Sequence, residues 1–96
     1  MTDYSLIFPA EFDDYASEVE SKGWFSDVRL NFRGRRYGLT FYDPVRLGQE
    51  IEGEHQRGDV FFEPNLVVVR SVTRQNMEKA VEILIQSGRV NSLIAE

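Results

Sequence analysis

The groups in this chain that could bind a metal or move a proton are the lone histidine His55, the alternating glutamates Glu50, Glu52 and Glu54, and the adjacent pair Asp13 and Asp14. Each set fails on spacing. Helical residues two apart point in quite different directions, so the three glutamates cannot converge on one ion. Adjacent helical carboxylates diverge by about 100°, too far to share a proton. His55 follows Ile51 by four residues and continues an apolar stripe; at a helix C-terminus its ordinary work is to bond free carbonyls. The chain has no cysteine, which removes thiolate nucleophiles, zinc–thiolate sites and disulfides. Its serines lack a plausible base, and Lys22 and Lys79 stand alone. The glycines of Phe32-Arg33-Gly34-Arg35-Arg36-Tyr37-Gly38 sit on a hairpin, not at a strand-to-helix turn, and so form no phosphate cradle. The reading is of a protein that is no enzyme and takes no cofactor.

Charge is the more informative signal. The net value is −5, which argues against general affinity for nucleic acid or anionic lipid. It is also segregated. Residues 1–27 carry seven acids against Lys22, residues 28–46 carry five arginines against Asp43, and residues 47–63 carry five acids against Arg57. A basic band therefore lies between two acidic ones. Arg33, Arg35 and Arg36 beside Tyr37 could suggest a base-stacking RNA surface. Tyr37 and Phe41 belong to the predicted buried face, however, and the acidic bands would repel a polyanion. The acidic residues that a predicted helix carries away from its apolar face are the candidates for protein binding: Glu11, Asp14 and Glu18 in the first band, Glu50 and Glu54 in the second.

These residues need elements to hold them. Residues 4–8 suit a short strand that Pro9 ends, opening a helix. Phe12, Tyr15, Ala16 and Val19 recur at helical spacing, and Gly23 is the stop. Val28, Leu30 and Phe32 alternate with Arg29, Asn31 and Arg33; Tyr37, Leu39 and Phe41 alternate with Gly38, Thr40 and Tyr42. That is a β-hairpin turning near Gly34. Asp43-Pro44 reads as an N-cap and first helical residue, with Leu47 and Ile51 as a narrow stripe ending near Gly58. An extended segment follows, broken at Pro64. Thr73 caps a last helix with Met77, Ala80, Val81 and Leu84 facing inward and Gly88 as its stop.

The chain is thus expected to form one α+β domain over residues 1–96. The expected order is ferredoxin-like β-α-β-β-α-β: an antiparallel-rich sheet of about four strands, two helices on one face, plus a C-terminal helix. In that arrangement the run Leu66-Val67-Val68-Val69 lies at the sheet centre beside the first strand. Its unbroken apolar character then requires cover on a second face, where Ile7, Arg29, Asn31, Thr40 and Tyr42 would surround it. An apolar centre ringed by arginine and tyrosine has the composition of an interface. The third helix, a second copy of the chain, or another protein could cover it. Acylphosphatases share this size and order, but Phe8-Pro9-Ala10-Glu11 stands where they carry a glycine-rich arginine loop.

No apolar run approaches the roughly 20 residues that span a bilayer, and Met1-Thr2-Asp3-Tyr4-Ser5 lacks the basic start and apolar centre of a leader; a cytoplasmic location is expected. Two stretches, Leu39 to Leu47 and Phe62 to Val69 with Val72 to Glu78 beyond, resemble small, mostly uncharacterised bacterial proteins, some of which look like immunity proteins of toxin–immunity systems. The resemblance carries no catalytic motif. It implies a small acidic inhibitor whose partner is a basic toxin domain, with no membrane partner. The alternative is a homodimeric small-ligand-binding or regulatory module of the same topology.

Overall fold

The computed structural model describes residues 3–96. Met1 and Thr2, which open the stretch read above for a leader, lie outside the described residues. Strand β1 (Tyr4–Ile7) leads into a single 3₁₀ turn, Phe12–Asp14, and then helix α1 (Ala16–Lys22). The single helix expected after Pro9 is therefore two pieces, separated at Tyr15, whose φ of −126° is not helical. Gly23 ends α1 in the left-handed region at φ 73°, its N–H donating to Val19 O at 2.9 Å. Strands β2 (Trp24–Phe32) and β3 (Arg35–Tyr42) form the hairpin. Arg33 and Gly34 both have positive φ, 51° and 76°, the pairing a type I′ two-residue turn requires.

Helix α2 (Pro44–Gln56) starts as its sequence demands, with Asp43 Oδ1 accepting from Arg46 N–H at 2.7 Å and Pro44 at the first position. Strand β4 (Leu66–Val68) is short, and α3 (Arg74–Gln86) is capped by Thr73, whose Oγ1 accepts from Asn76 N–H at 3.2 Å. A final 3₁₀ turn, Arg89–Ser92, puts Val90 into the core.

The described residues form an α+β fold with one mixed four-stranded sheet and three α-helices, but the ferredoxin-like order is not the one adopted. The sheet runs β1-β2-β3-β4, with β1–β2 and β2–β3 antiparallel and β3–β4 parallel. β4 is an edge strand beside β3, not a central strand beside β1. Element lengths explain the difference. A ferredoxin-like crossover must return the chain along the full strand before β2 begins. Seven residues of α1 rise only about 10 Å, against about 30 Å for a nine-residue strand such as β2. α1 can only turn the chain round at one end of the sheet, which leaves β2 antiparallel beside β1. The 13 residues of α2, about 20 Å, make the one parallel crossover, from β3 to β4.

Register assigns the faces. Val28, Leu30 and Phe32 of β2 and Tyr37, Leu39 and Phe41 of β3 point to one side, where Phe12, Val19, Met77, Val81 and Val90 meet them. Val67 and Val69 join that core, so Leu66 and Val68 face the other way, paired with Thr40 and Tyr42. Ile7 is not their neighbour, because β1 lies at the opposite edge. The third helix does not cover the second face either: Met77 and Val81 commit it to the first. On the second face Tyr42 packs its ring 6.0 Å from Phe61, and Leu47 and Ile51 of α2 take no part in the core on the first. The helices therefore divide between two faces instead of sharing one.

Candidate protein-interaction surfaces

The aromatic cluster that anchors the first acidic band is built from sequence-adjacent rings. Phe12 lies 5.0 Å from both Phe8 and Phe25, and Tyr15 lies 5.6 Å from Phe12. Burying these rings turns Glu11, Asp14 and Glu18 outward, and all three are exposed. No ion pair or side-chain hydrogen bond among the described residues uses any of them. Asp13, between them, is drawn off to Arg74 at 3.3 Å, and Arg74 also stacks 4.5 Å from the Phe8 ring centroid. Because α1 begins only at Ala16, Asp14 and Glu18 do not share one continuous helical face as their spacing suggested.

Sequence reasoning missed Asp27. The hairpin alternation breaks between Phe25 and Val28, where Ser26 and Asp27 form a bulge opposite Thr40. The bulge leaves Asp27 exposed. Burial, then the charges of Asp27 and Glu11, hold the Tyr15 hydroxyl above its ordinary pKa. The pattern break at Ser26-Asp27 inside an otherwise alternating strand is the signal that marks it.

The second acidic band behaves differently. Glu50 Oε1 accepts from Arg46 Nε at 2.8 Å, and Glu54 is engaged by Arg57. Both glutamates are half-buried and committed to neighbours on their own helix, so they are not brought together with Glu11, Asp14 and Glu18. Just beyond α2, Phe61 turns in onto Tyr42, while Val60 and Phe62 stand exposed, Phe62 at 82%. Tyr42 donates to Glu63 Oε2 at 3.0 Å; burial first, then Glu63, push its pKa up to about 12.

At the far end of the hairpin a groove of about 840 Å³ opens, lined by Asp3, Tyr4, Ser5, Arg33, Arg35 and Arg36 among others; register puts Ser5 and Arg36 on the second face and Tyr4 and Arg35, the partners of Phe32, on the first. Arg33, Arg35 and Arg36 pair with no carboxylate among the described residues. Arg29 does: its Nε lies 3.2 Å from Glu96 Oε2, and the pair crosses over Gly38. The final residues are bound to the same edge of β3 that β4 occupies. Glu96 N–H donates to Arg36 O at 2.8 Å, and the Asn65 amide bridges Gly38 O and Ile94.

His55 is exposed in the last turn of α2, where its carbonyl, not its ring, accepts from Gly58 N–H at 3.0 Å. Among the described residues no group of three or more His, Asp or Glu side chains could hold a metal ion, and no helix is long and apolar enough to cross a membrane. No protein-family model matches the chain, and comparison with curated proteins and with solved structures gave no match.

Proposed function

We propose that this is a non-enzymatic, protein-binding protein acting in the cytoplasm as an immunity-type inhibitor, and that the surface around Glu11, Asp14 and Glu18 docks a basic partner such as a toxin domain. One observation carries the reading. Among the described residues none of these three carboxylates enters an ion pair or side-chain hydrogen bond, whereas Asp13, Glu50 and Glu54 are paired. Unpaired like charges on a rigid aromatic base favour encounter with an oppositely charged surface, raising the association rate by orders of magnitude at low salt. Asp27 extends the same surface. Glu50 and Glu54, already neutralised by Arg46 and Arg57, contribute less.

The test is capture from a lysate of the source organism on immobilised wild-type chain and on the Asp14→Lys/Glu18→Lys variant, at low ionic strength. A basic protein retained by the first and lost from the second supports the reading. Retention of the same protein by both contradicts it.

A further inference from the structure

β1 is an edge strand, and among the described residues no backbone hydrogen bond outside its ladder with β2 reaches Tyr4–Ile7. Its outward N–H and C=O groups are open to another strand. Two of its apolar side chains also stand in solvent, Tyr4 at 38% and Ile7 at 48%. The strand begins at the arginine end of the sheet, where Tyr4 pairs with Phe32. It runs toward the acidic end, where Pro9 leads into the turn that carries Glu11 and Asp14. Turned end for end about a two-fold axis, it carries the acids of one molecule to the arginines of another. From this juxtaposition we propose that β1 pairs antiparallel with β1 of a second copy, joining two four-stranded sheets into one.

A two-fold axis perpendicular to the sheet keeps each face continuous, and directly opposed residues of an antiparallel pair share a face. Tyr4, Leu6 and Phe8 lie on the first face, Ser5 and Ile7 on the second. Leu6 opposite Leu6 of the second copy sets Tyr4 against Phe8 and Ser5 against Ile7. Ser5 opposite Ser5 would instead set Asp3 against Ile7, so the first register is the better match. It also aligns the charges on one face. Arg35 is on the first face as the partner of Phe32, and Arg33 follows it there, 5.0 Å from the Phe32 ring centroid. Phe12 is buried in the core on that face, and the turn bearing Glu11 and Asp14 goes with it. With Phe8 beside Tyr4 of the second copy, this turn comes level with Arg33 and Arg35 of that copy. Three strand spacings, about 14 Å, separate β2 of one copy from β2 of the other. That exceeds the Debye length of about 8 Å at physiological salt but is well inside the 30 Å or so at low salt. Asp3 lines the same groove as Arg33 and Arg35 and offsets only one of the two guanidinium charges. β4, the other edge, offers no such match, because it pairs with Thr40 to Tyr42 and does not reach the arginine end. A strand of four residues buries too little for a tight dimer, so the association is weak and reversible. It needs no other protein and does not depend on the function proposed above; a basic partner at Glu11 and Asp14 would compete with it.

Sedimentation equilibrium of the full chain at low salt, over a range of protein concentrations, should show a monomer–dimer equilibrium that weakens as salt is raised. Glu11→Lys/Asp14→Lys and Arg33→Glu/Arg35→Glu should each weaken it at least about tenfold at low salt. An equimolar mixture of the two variants should dimerise as tightly as the wild type, because both charge contacts are then attractive. The chain has no cysteine, so introduced thiols report the register. Ser5 and Ile7 are both exposed, and on oxidation Ser5→Cys mixed with Ile7→Cys should give a covalent dimer, whereas Ser5→Cys alone should not. A monomer at every concentration overturns the pairing, as does a mixture of charge variants that fails to recover. A dimer that neither charge variant weakens lies on another surface and overturns it too, and so does a covalent dimer from Ser5→Cys alone. All of these measurements use the isolated chain, so their failure is distinct from failure to capture a basic partner.

Discussion

Gly23 shows how much one residue can be asked to do. Its φ of 73° ends α1, its carbonyl accepts from Asp43 N–H at 2.9 Å, and a Cβ built on it would lie 2.4 Å from Asp43 Oδ2. Asp43 cannot simply swing away, because it caps α2. Gly23→Ala should therefore destabilise the protein by roughly 2–3 kcal/mol, combining left-handed strain with loss of the cap. A urea titration checks this, and an unchanged midpoint would show that the two helices are not coupled through this residue. Tyr42 gives a pH signature. Its folded pKa, about 12, exceeds the ordinary 10.0, so the neutral phenol is the form the fold prefers. The stability it contributes is complete below pH 10 and is lost as the pH rises through 12. Unfolding followed from pH 9 to 12 should show that loss in the wild type and a smaller one in Tyr42→Phe; equal losses would place the titration elsewhere.

Among the elements, β4 settles what the apolar run Leu66 to Val69 is for. It is an edge strand with one face in the core, and its other face is left partly open, Val68 being 47% exposed. Val67→Ala should cost about 2 kcal/mol, and Val68→Ala about 0.5 kcal/mol. Thermal melts of the two variants test the assignment, and a larger loss at Val68 would reverse the register. The hairpin could be read from sequence because alternation is a local property: Val28 to Phe32 and Tyr37 to Phe41 each identify their own buried face. The start of β2 at Trp24 could not, because the Ser26-Asp27 bulge breaks the period. Caps at Asp43 and Thr73 were equally legible, each needing only the residue and the three that follow it. Sheet order was not. It depends on the length of α1 and on distant ties such as Asn65 to Gly38 and Ile94, which no local pattern contains. The acidic candidates divided for the same reason, since only tertiary structure reveals which carboxylates the fold has already paired.

Taken whole, the molecule is elongated, 45 × 31 × 21 Å, and its charge is arranged along β2. Phe12 and Tyr15 hold the acidic band against Phe25, while the arginines gather beyond Phe32. Phe25 and Phe32 are seven strand positions apart, about 23 Å. The Debye length at physiological salt is about 8 Å, so the two ends do not neutralise each other and can meet different partners. The central claim is that the unpaired carboxylates of the acidic end serve recognition and not the fold. The most direct measurement is the stopped-flow association rate of the captured basic partner with wild type and with Asp14→Lys/Glu18→Lys, across a range of salt. Glu18 occupies the first turn of α1, so the double variant should lose at most about 1 kcal/mol of stability. Its association rate should fall by at least about tenfold at low salt and converge on the wild-type rate at high salt. Equal rates at low salt, or a fold that melts while its residual binding rate is unchanged, would contradict the claim.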